Sequence, residues 1–546
     1  MRKLEISIPN ISTPSQNYNI TGARMAQEMD KKNIMSIPEY FAGQSVFVTG
    51  GTGLMGKVLI EKILRSCPDV SKIYLLIRPK RGVPIEERWS QITQLPLFEK
   101  LRTERPEALK KMFLIPGNIN EEDLNISEEH KKMLQENVTI IYHVAALIQF
   151  TDSMSEALIQ NARGTLGMLE LGKTIKNLKV FVHVSTAYCN FNKPCDDVTE
   201  EVHPCCQDWK VMMKVLKTEP NTLNPLREKL LCGHPNPYTW SKSIGEQMVN
   251  EYRQFFPVII MRPGVVSATD NDPIPSWNDA TNACFSMSYL MGLGILRVFK
   301  ATKDDYQDLI PVDTAIKAFL IAPWKLHLTG PQTRTDVYTC TTASEEIITY
   351  EEMESMIPRF IKNYPSKNIL WPPSCYHVTD PFLHFIAFFF LQLVPGAILD
   401  LLLFLGGKKP KFTAINKIII NAYRVGNGII DNKVKFPNKR FKELTKYLKE
   451  EDIKDFGFTI KYSGEEKINY LMKQVVAFFK YYIKEDMSEE NIKKNKERYE
   501  RIKMVHSIVM NIVGFIFTWY LMFGILRVVL IISNSLVYIF QTMKIL

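Results

Sequence analysis

The sequence predicts an α/β fold, a doubly wound parallel sheet, followed by a mostly helical C-terminal region with a membrane anchor. Three observations carry this reading. Residues 46–56, VFVTGGTGLMG, run strand, glycine turn, helix, the context that makes a glycine pattern a Rossmann-type nucleotide site. Short apolar runs then alternate with helix-length segments as far as Val184, the rhythm of a parallel sheet with right-handed crossovers. Far downstream, Val505–Leu526 offers 22 residues without Asp, Glu, Lys or Arg, and about 20 suffice to cross a bilayer.

The totals agree with that frame. At 546 residues the chain is too long for one ordinary core. A composition of 46% hydrophobic and 23% charged residues excludes wholesale disorder. The net charge is +10, and a dense basic patch, Lys493, Lys494, Lys496, Arg498, Arg501 and Lys503, lies just before the long apolar stretch. That placement points to a membrane surface rather than nucleic acid. The nine cysteines occur in no metal spacing, so no metal is expected, not even at Cys195, Cys205 and Cys206. The start, MRKLEISIPN, has no apolar h-region, so the catalytic part is expected in the cytosol with reduced thiols. The expected division is a flexible lead-in over 1–40, a dinucleotide-binding domain over 41–365, a helical domain over 366–503 and an anchor over 504–546.

The first strand, Val46–Val48, breaks at a turn whose glycines each have a task. Gly50 lets the chain turn sharply, Gly53 lets backbone N–H groups approach a pyrophosphate, and Gly56 lets the helix pack close to its strand. The second strand, Lys72–Ile77, runs straight into Arg78-Pro-Lys-Arg. An acidic residue there would accept from a ribose 2′-OH. Arginine pairs instead with a 2′-phosphate, which favours NADP(H). A third strand, Phe113–Pro116, ends in Gly117-Asn118-Ile119. The fourth, Thr139–Val144, ends in Ala145-Ala146, small residues that leave room for a cofactor. His143 reads as a core or supporting histidine rather than a base. A helix over Glu156–Lys173 carries Asn161, and a fifth strand, Val180–Val184, ends in Ser185-Thr186. Ligands sit at the carboxyl ends of such strands, where all these short motifs fall.

The reacting groups follow. Pro237 starts a helix with Tyr238 and Lys242 four apart, hence on one face. A phenol near its usual pKa of about 10 is a poor acid at neutral pH, and a neighbouring ammonium is expected to lower it. A proton donor for a carbonyl becoming an alkoxide is then at hand. Thr186 supplies a hydroxyl to polarise that carbonyl. Ser185 competes for this role, and register alone does not separate the two.

These segments, with NARGT (161–165), FVHVSTAYCN (181–190), YTWSK (238–242) and MRPGVV (261–266), resemble extended short-chain dehydrogenase/reductases. DLIPVD (308–313), the later LW-P and GKKP segments and the hydrophobic second half resemble one branch, the insect-like fatty acyl-CoA reductases, from about Ile37 to about Leu530. The resemblance implies Thr186, Tyr238 and Lys242 as the catalytic set. It implies Thr49, Gly50, Gly53, Leu54, Met55, Gly56, Arg78, Asn118, Ile119, Ala145, Asn161, Lys242, Pro263, Val265 and Val266 as cofactor-binding residues. NADPH is the implied cofactor, and long-chain or very-long-chain fatty acyl-CoA the implied substrate. The implied reaction gives a primary alcohol through a hemithioacetal and an aldehyde. Two departures stand out: Asn118 where an aspartate is usual, and Gly264 where a serine is more usual. A membrane-bound sterol dehydrogenase, another extended member of the superfamily and a non-catalytic membrane scaffold are the competing readings.

The second half adds an apolar run, Phe382–Leu405, broken by Pro395-Gly396 and containing Asp400. It reads as two short apolar helices that form an acyl-chain pocket or dip into one leaflet. Val505–Leu526 is the better span, with Val528–Phe540 after Arg527 open to a second dip or a hairpin. The basic patch places the enzyme on the cytosolic side, on the endoplasmic reticulum or alternatively on a peroxisome or lipid droplet surface. The terminal Lys544-Ile545-Leu546 does not match the Ser-Lys-Leu peroxisomal address.

Overall fold

The structure is a computed structural model that describes residues 34–79, 82–146, 153–194, 198–279, 283–342, 345, 347–426, 434–462 and 464–543. The lead-in through residue 33, Lys80, Arg81, Cys195 and the terminal Lys544-Ile545-Leu546 lie outside these residues. The chain forms two compact units, interleaved in sequence. One comprises residues up to 275, 308–346 and 434–461; the other comprises 276–307, 347–433 and 462 onward. The sequence-based boundary at residue 365 does not coincide with this division, because the chain leaves the first unit and returns to it twice.

In the first unit, β1 (Ser45–Thr49) leads into α1 (Leu54–Ser66), then β2 (Lys72–Ile77), β3 (Met112–Pro116) and β4 (Ile140–His143). After α2 (Gly164–Thr174) come β5 (Val180–Val184), α3 (Pro237–Tyr252), β6 (Val258–Pro263), α4 (Val312–Thr329) and β7 (Asp336–Cys340). The seven strands form one parallel sheet in the order β7-β6-β5-β4-β1-β2-β3. The strand order reverses between β1 and β4, the switch point at which such sheets open a crevice for ligands.

The five strands expected from the sequence all form, within a residue or two at their ends. The apolar runs are long because both faces of the sheet are covered. On one face Phe47, Tyr74, Ile115, Ile141, Phe181, Ile260 and Val337, one from each strand, meet Met168 and Leu169 of α2 and Trp240, Ile244 and Met248 of α3. Each such side chain, fully buried, contributes about 1.5–3 kcal/mol. On the other face α4 lies over β4, where the Tyr142 hydroxyl donates to the Phe319 carbonyl at 3.1 Å. The helix expected over Glu156–Lys173 forms in three pieces, with a π-helical turn at Leu158–Arg163. Gly292–Leu296 belongs to the second unit.

The second unit is mostly helical. Its elements include Ala283–Gly292, Tyr350–Asn363, Phe412–Gly426 and Gly464–Ala477, with a two-residue parallel ladder between Val298–Phe299 and Tyr376–His377. Pro381–Leu405 is one helix of 25 residues, not two short ones. The sequence reading let Pro395 break it. A π-helical turn at Phe389–Leu393 precedes the proline, with Val394 between them. The wider turn removes the i→i−4 bond that proline cannot make. Asp400 does not interrupt the helix either. Its carboxylate accepts from the Lys411, Phe412 and Thr413 N–H groups at 2.7–2.8 Å and so caps the next helix. Glu489–Met543 is a single 55-residue helix. Arg527 and the residues after it continue it, so the hairpin considered from the sequence does not form.

Candidate active site

Most of the nucleotide- and substrate-site residues expected from the sequence fall at the carboxyl edge of the first unit's sheet or on α1, α2's approach or α3, while Val265 and Val266 lie in a separate ladder. The glycine turn sits at the switch point. Gly50 has φ +75°, and a Cβ there would meet the Ala145 nitrogen at 2.6 Å. A Cβ on Gly53 would lie 3.3 Å, and one on Gly56 2.3 Å, from the Gly50 carbonyl oxygen. The turn is therefore wrapped so tightly on itself and on β4 that side chains have no room. Gly53 is the N-cap of α1 and provides no side-chain cap, which leaves the first-turn N–H groups of Leu54 and Met55 for an anion. Thr49 is fully buried, and its hydroxyl bonds His143 Nδ1 at 2.8 Å and accepts from the Ala145 N–H at 3.3 Å. His143 is thus a supporting residue. Its Nε2 meets the Thr165 hydroxyl at 3.2 Å, and burial pushes its pKa down to about 3, which keeps it neutral.

Gly56→Ala is expected to weaken dinucleotide binding by at least about tenfold, because relieving such a clash shifts backbone at about 1–3 kcal/mol. The check is the rise in Tm with added dinucleotide, which should shrink or vanish in the variant.

Further along the edge, Arg78 stands exposed at the end of β2. Its carbonyl accepts from the Arg88 guanidinium. Asn118, after β3, turns its side chain into its own loop, accepting from the Asn120 N–H at 3.2 Å and donating to Glu121 at 3.3 Å. Ile119 packs where a Cβ on Gly164 would touch it, at 3.0 Å from its carbonyl oxygen. Pro263 ends β6, and Val265–Ser267 forms a separate parallel ladder with Leu309–Pro311. Gly264 has a local reason. A Cβ there would lie 2.6 Å from the Asp308 carbonyl oxygen, which accepts from the Val265 N–H at 2.7 Å. The two carboxylates of DLIPVD are structural as well: Asp308 accepts from the Thr342 N–H at 2.7 Å, and Asp313 from the N–H groups of Asp270, Asn271 and Asp272 at 2.8–3.1 Å.

The candidate reacting groups lie where β5 ends beside α3. Asn236 caps that helix, accepting from the Thr239 N–H at 3.0 Å, and Pro237 occupies its first position. Thr186 continues β5 in extended conformation, and its hydroxyl hydrogen-bonds the Tyr238 phenol. Ser185 turns instead towards Glu246 and Cys189. Of the two hydroxyls that the sequence left open, Thr186 is the one beside the Tyr238 phenol. Asn161, in the π-helical turn, donates from Nδ2 to the Ser241 hydroxyl at 3.0 Å. This ties α3 to the approach of α2, and helices widened in this way recur at functional sites.

One expectation differs. The Lys242 ammonium was expected to lower the phenol's pKa. Burial instead pushes Tyr238 up to about 12, opposed by the hydrogen bond from Thr186. Lys242 donates to the Val184 carbonyl at 2.7 Å, and burial pulls its own pKa down to about 8. The expected pairing is not made: the Lys242 ammonium is turned to the Val184 carbonyl, and desolvation then dominates at the partly buried phenol and the buried lysine.

The sequence reading missed Glu246, Arg262 and Cys189. Arg262 and Glu246 are both about 1% exposed and pair bidentately, Nε–Oε1 at 2.8 Å and Nη2–Oε2 at 2.6 Å. The Cys189 thiol donates to the same carboxylate at 3.1 Å. A signal existed, since Tyr238, Lys242 and Glu246 form one i, i+4, i+8 stripe.

Two family models, each described as male sterility protein, match this chain: a NAD-binding model over residues 48–319 and a second over 391–485. Fatty acyl-CoA reductase 1 of Gallus gallus is 32% identical over 463 residues, covering 83% of this chain and 88% of that protein. The chain belongs to the fatty acyl-CoA reductases. Fatty acyl-CoA reductase 2 of Homo sapiens is 29% identical, covering 89% of this chain and 93% of that one. For the Drosophila melanogaster fatty acyl-CoA reductase wat the values are 29%, 90% and 93%. Among solved structures, the reductase domain of a nonribosomal peptide synthetase from Mycobacterium tuberculosis is similar, with TM-score 0.51 at 15% identity. It covers 83% of this chain and 98% of its own, a likeness of fold alone. This fatty acyl-CoA reductase thus carries an NAD(P)-binding domain, with the strand order and glycine turn that suit a dinucleotide.

Proposed function

We propose that this reductase converts a long-chain or very-long-chain fatty acyl-CoA to a primary alcohol and CoA, using two NADPH. The observation that carries the reading is the Thr186–Tyr238 hydroxyl pair beside the buried Lys242, one strand from the glycine turn, in a chain of this family. When bound, NADPH supplies hydride, once to the thioester carbonyl and once to the aldehyde. Tyr238 gives its proton to the carbonyl oxygen as negative charge develops there, and Thr186 hydrogen-bonds the same oxygen. The hemithioacetal then passes its hydroxyl proton to the departing CoA sulfur and leaves the aldehyde; Tyr238, reprotonated from solvent, would protonate the aldehyde oxygen in the second reduction. Lys242 holds the nicotinamide ribose and the charge balance of the phenol. Asn161 and Ser241 keep α3 in place. The N–H groups behind Gly53 take the pyrophosphate. Asn118 and Ile119 lie on the adenine side, Ala145 midway, and Pro263, Val265 and Val266 beside the nicotinamide.

Arg78 takes the 2′-phosphate in this reading. Arg78→Ala is then expected to weaken NADPH roughly tenfold to a hundredfold, the worth of one charge-assisted hydrogen bond. NADH use should change little, and a comparison of kcat/KM for the two cofactors reads the difference. The lysine sets a pH limb. Lys242 is charged below its pKa of about 8 and neutral above it, so kcat should fall as pH rises through about 8. A rate that stayed flat to pH 10 would remove the ammonium from the mechanism.

Among the described residues, two helices are long and apolar enough to cross a membrane, Pro381–Leu405 and the segment Glu489–Ser535. On the first, the polar residues Gln392 and Asp400 are buried while Phe382, Phe385, Phe390, Leu401, Phe404 and Leu405 are exposed. That inversion of the usual helix suits contact with lipid. The 489–543 helix serves as the anchor, with the enzyme cytosolic on the endoplasmic reticulum, or on a peroxisome or lipid droplet. A membrane position suits substrates whose transfer from water is worth about 0.8 kcal/mol per methylene.

The test is detergent-solubilised protein with NADPH and a panel of acyl-CoAs, following NADPH loss, free thiol and extracted lipid. Two NADPH per thiol with alcohol as product is the expected result. One NADPH per thiol with aldehyde remaining would reduce the activity to its first half, and no turnover with any acyl-CoA would refute it.

A further inference from the structure

The second compact unit holds a cluster for which the proposed chemistry has no use. Glu354 lies on the helix Tyr350–Asn363, and Cys375 and His377 bracket Tyr376 at the short strand Tyr376–His377. A Glu354 carboxylate oxygen, Cys375 Sγ and a His377 ring nitrogen all lie within 4.8 Å of one another. His377 Nε2 is 2.5 Å from Glu354 Oε1, and Nδ1 is 3.1 Å from the Ala301 carbonyl oxygen. A carbonyl only accepts, so Nδ1 carries a hydrogen. In the metal-free ion pair Nε2 also donates, to the Glu354 carboxylate, and a cation that takes the place of that proton would meet the Nε2 lone pair. Ligating histidines are oriented by just such a bond on the far nitrogen.

We propose that Glu354, Cys375 and His377 bind one zinc ion, with water in a fourth position. Imidazole nitrogen, thiolate and carboxylate are the three donor types zinc takes. Metal bonds of about 2.0–2.3 Å in a tetrahedron place donors roughly 3.3–3.6 Å apart. The histidine–glutamate contact therefore opens by about 1 Å and the thiol closes in. A thiolate and a carboxylate bring two negative charges, which the dication neutralises. All three residues are partly buried, and Phe299, Tyr350 and Tyr423 pack around the strand. Without a cation, burial and the adjacent Glu354 hold the Cys375 thiol protonated, and what remains is an ordinary His–Glu ion pair beside an idle cysteine. The ion would join the helix 350–363 to the strand within this unit. The sequence hid the site because its ligands come from two elements, and Cys375-Tyr-His377 matches none of the zinc spacings.

The experiment uses the full chain in detergent, stripped with chelator and titrated with Co2+ as the probe. One equivalent is expected to bind with a thiolate-to-cobalt charge-transfer absorption, and Zn2+ should displace it. Cys375→Ser should abolish that absorption, and His377→Asn should lose the equivalent. Glu354→Gln keeps a hydrogen-bond partner for His377 and should fold as wild type by circular dichroism, yet no longer gain Tm on adding Zn2+. Wild type that gives no cobalt absorption, or Cys375→Ser that retains it, overturns the proposal in favour of the bare ion pair. The readout is independent of acyl-CoA turnover, so it stands apart from the activity test.

Discussion

Tyr238→Phe is expected to lower the rate of acyl-CoA reduction by about 10²–10⁴, the usual worth of a positioned general acid. The change removes one oxygen and leaves the ring's packing intact, so dinucleotide binding should survive. The phenol is well suited to the task as it stands. With its pKa up at about 12, it remains protonated throughout the neutral range and is always loaded to donate. Thr186, its hydrogen-bond partner, provides the comparison. Thr186→Val should lose part of the rate, while Thr186→Ser, which keeps the hydroxyl, should recover it. Dinucleotide binding with no turnover is the expected signature of Tyr238→Phe. A variant that turned over at a wild-type rate would take the tyrosine out of the chemistry and leave the chain closer to a scaffold that keeps a nucleotide fold.

Glu246→Ala is expected to be the most damaging single change away from the reacting groups. It would leave the Arg262 guanidinium, about 1% exposed, without its carboxylate. The remaining contacts, to the Thr199 and Glu201 carbonyls at 3.0 and 2.7 Å, carry no full charge. Removing one member of a buried ion pair costs about 3–5 kcal/mol, which lowers the apparent Tm by roughly 10 °C for a unit of this size. Replacing both members with apolar residues of similar size, Glu246→Leu with Arg262→Met, should restore most of the loss, because neither charge is then stranded. A Glu246→Ala variant that melted within about 2 °C of wild type would mean that the pair is hydrated rather than buried. The pair joins α3 to β6, so the same variant should also slow turnover by disturbing the helix that carries Tyr238 and Lys242.

The outcome for particular residues shows where a sequence suffices. The glycine turn was legible because much of its constraint is local: Gly50 has φ +75°, and Gly53 and Gly56 close on the Gly50 carbonyl, although the Ala145 backbone that also excludes a side chain at Gly50 lies far along the chain. The strands up to Val184 were legible because a sheet covered on both faces demands continuous apolar runs. Helical spacing puts Tyr238 and Lys242 on one face, and the pair stood out only downstream of the glycine turn and a strand ending in Ser185-Thr186. The choice of Thr186 over Ser185 was not legible, since the two adjacent hydroxyls differ only in what the end of β5 faces. The role of Gly264 was hidden because the atom that excludes a side chain belongs to Asp308, 44 residues on. The continuity of Pro381–Leu405 was hidden because a π-helical turn absorbs the proline, and no composition rule registers that.

By itself, then, the sequence determined the α/β class, the nucleotide turn, the shared helix face of Tyr238 and Lys242, and the apolar length of the last helix. Each depends on neighbours within a turn or a strand of one another. Only the tertiary structure decided the interleaving of the two units, the Glu246–Arg262 pair, the rise rather than fall in the phenol's pKa, and the gathering of Glu354, Cys375 and His377. Those depend on burial and on residues that meet across separate elements. Desolvation and long-range contact belong to the folded chain, and no short window of sequence contains them.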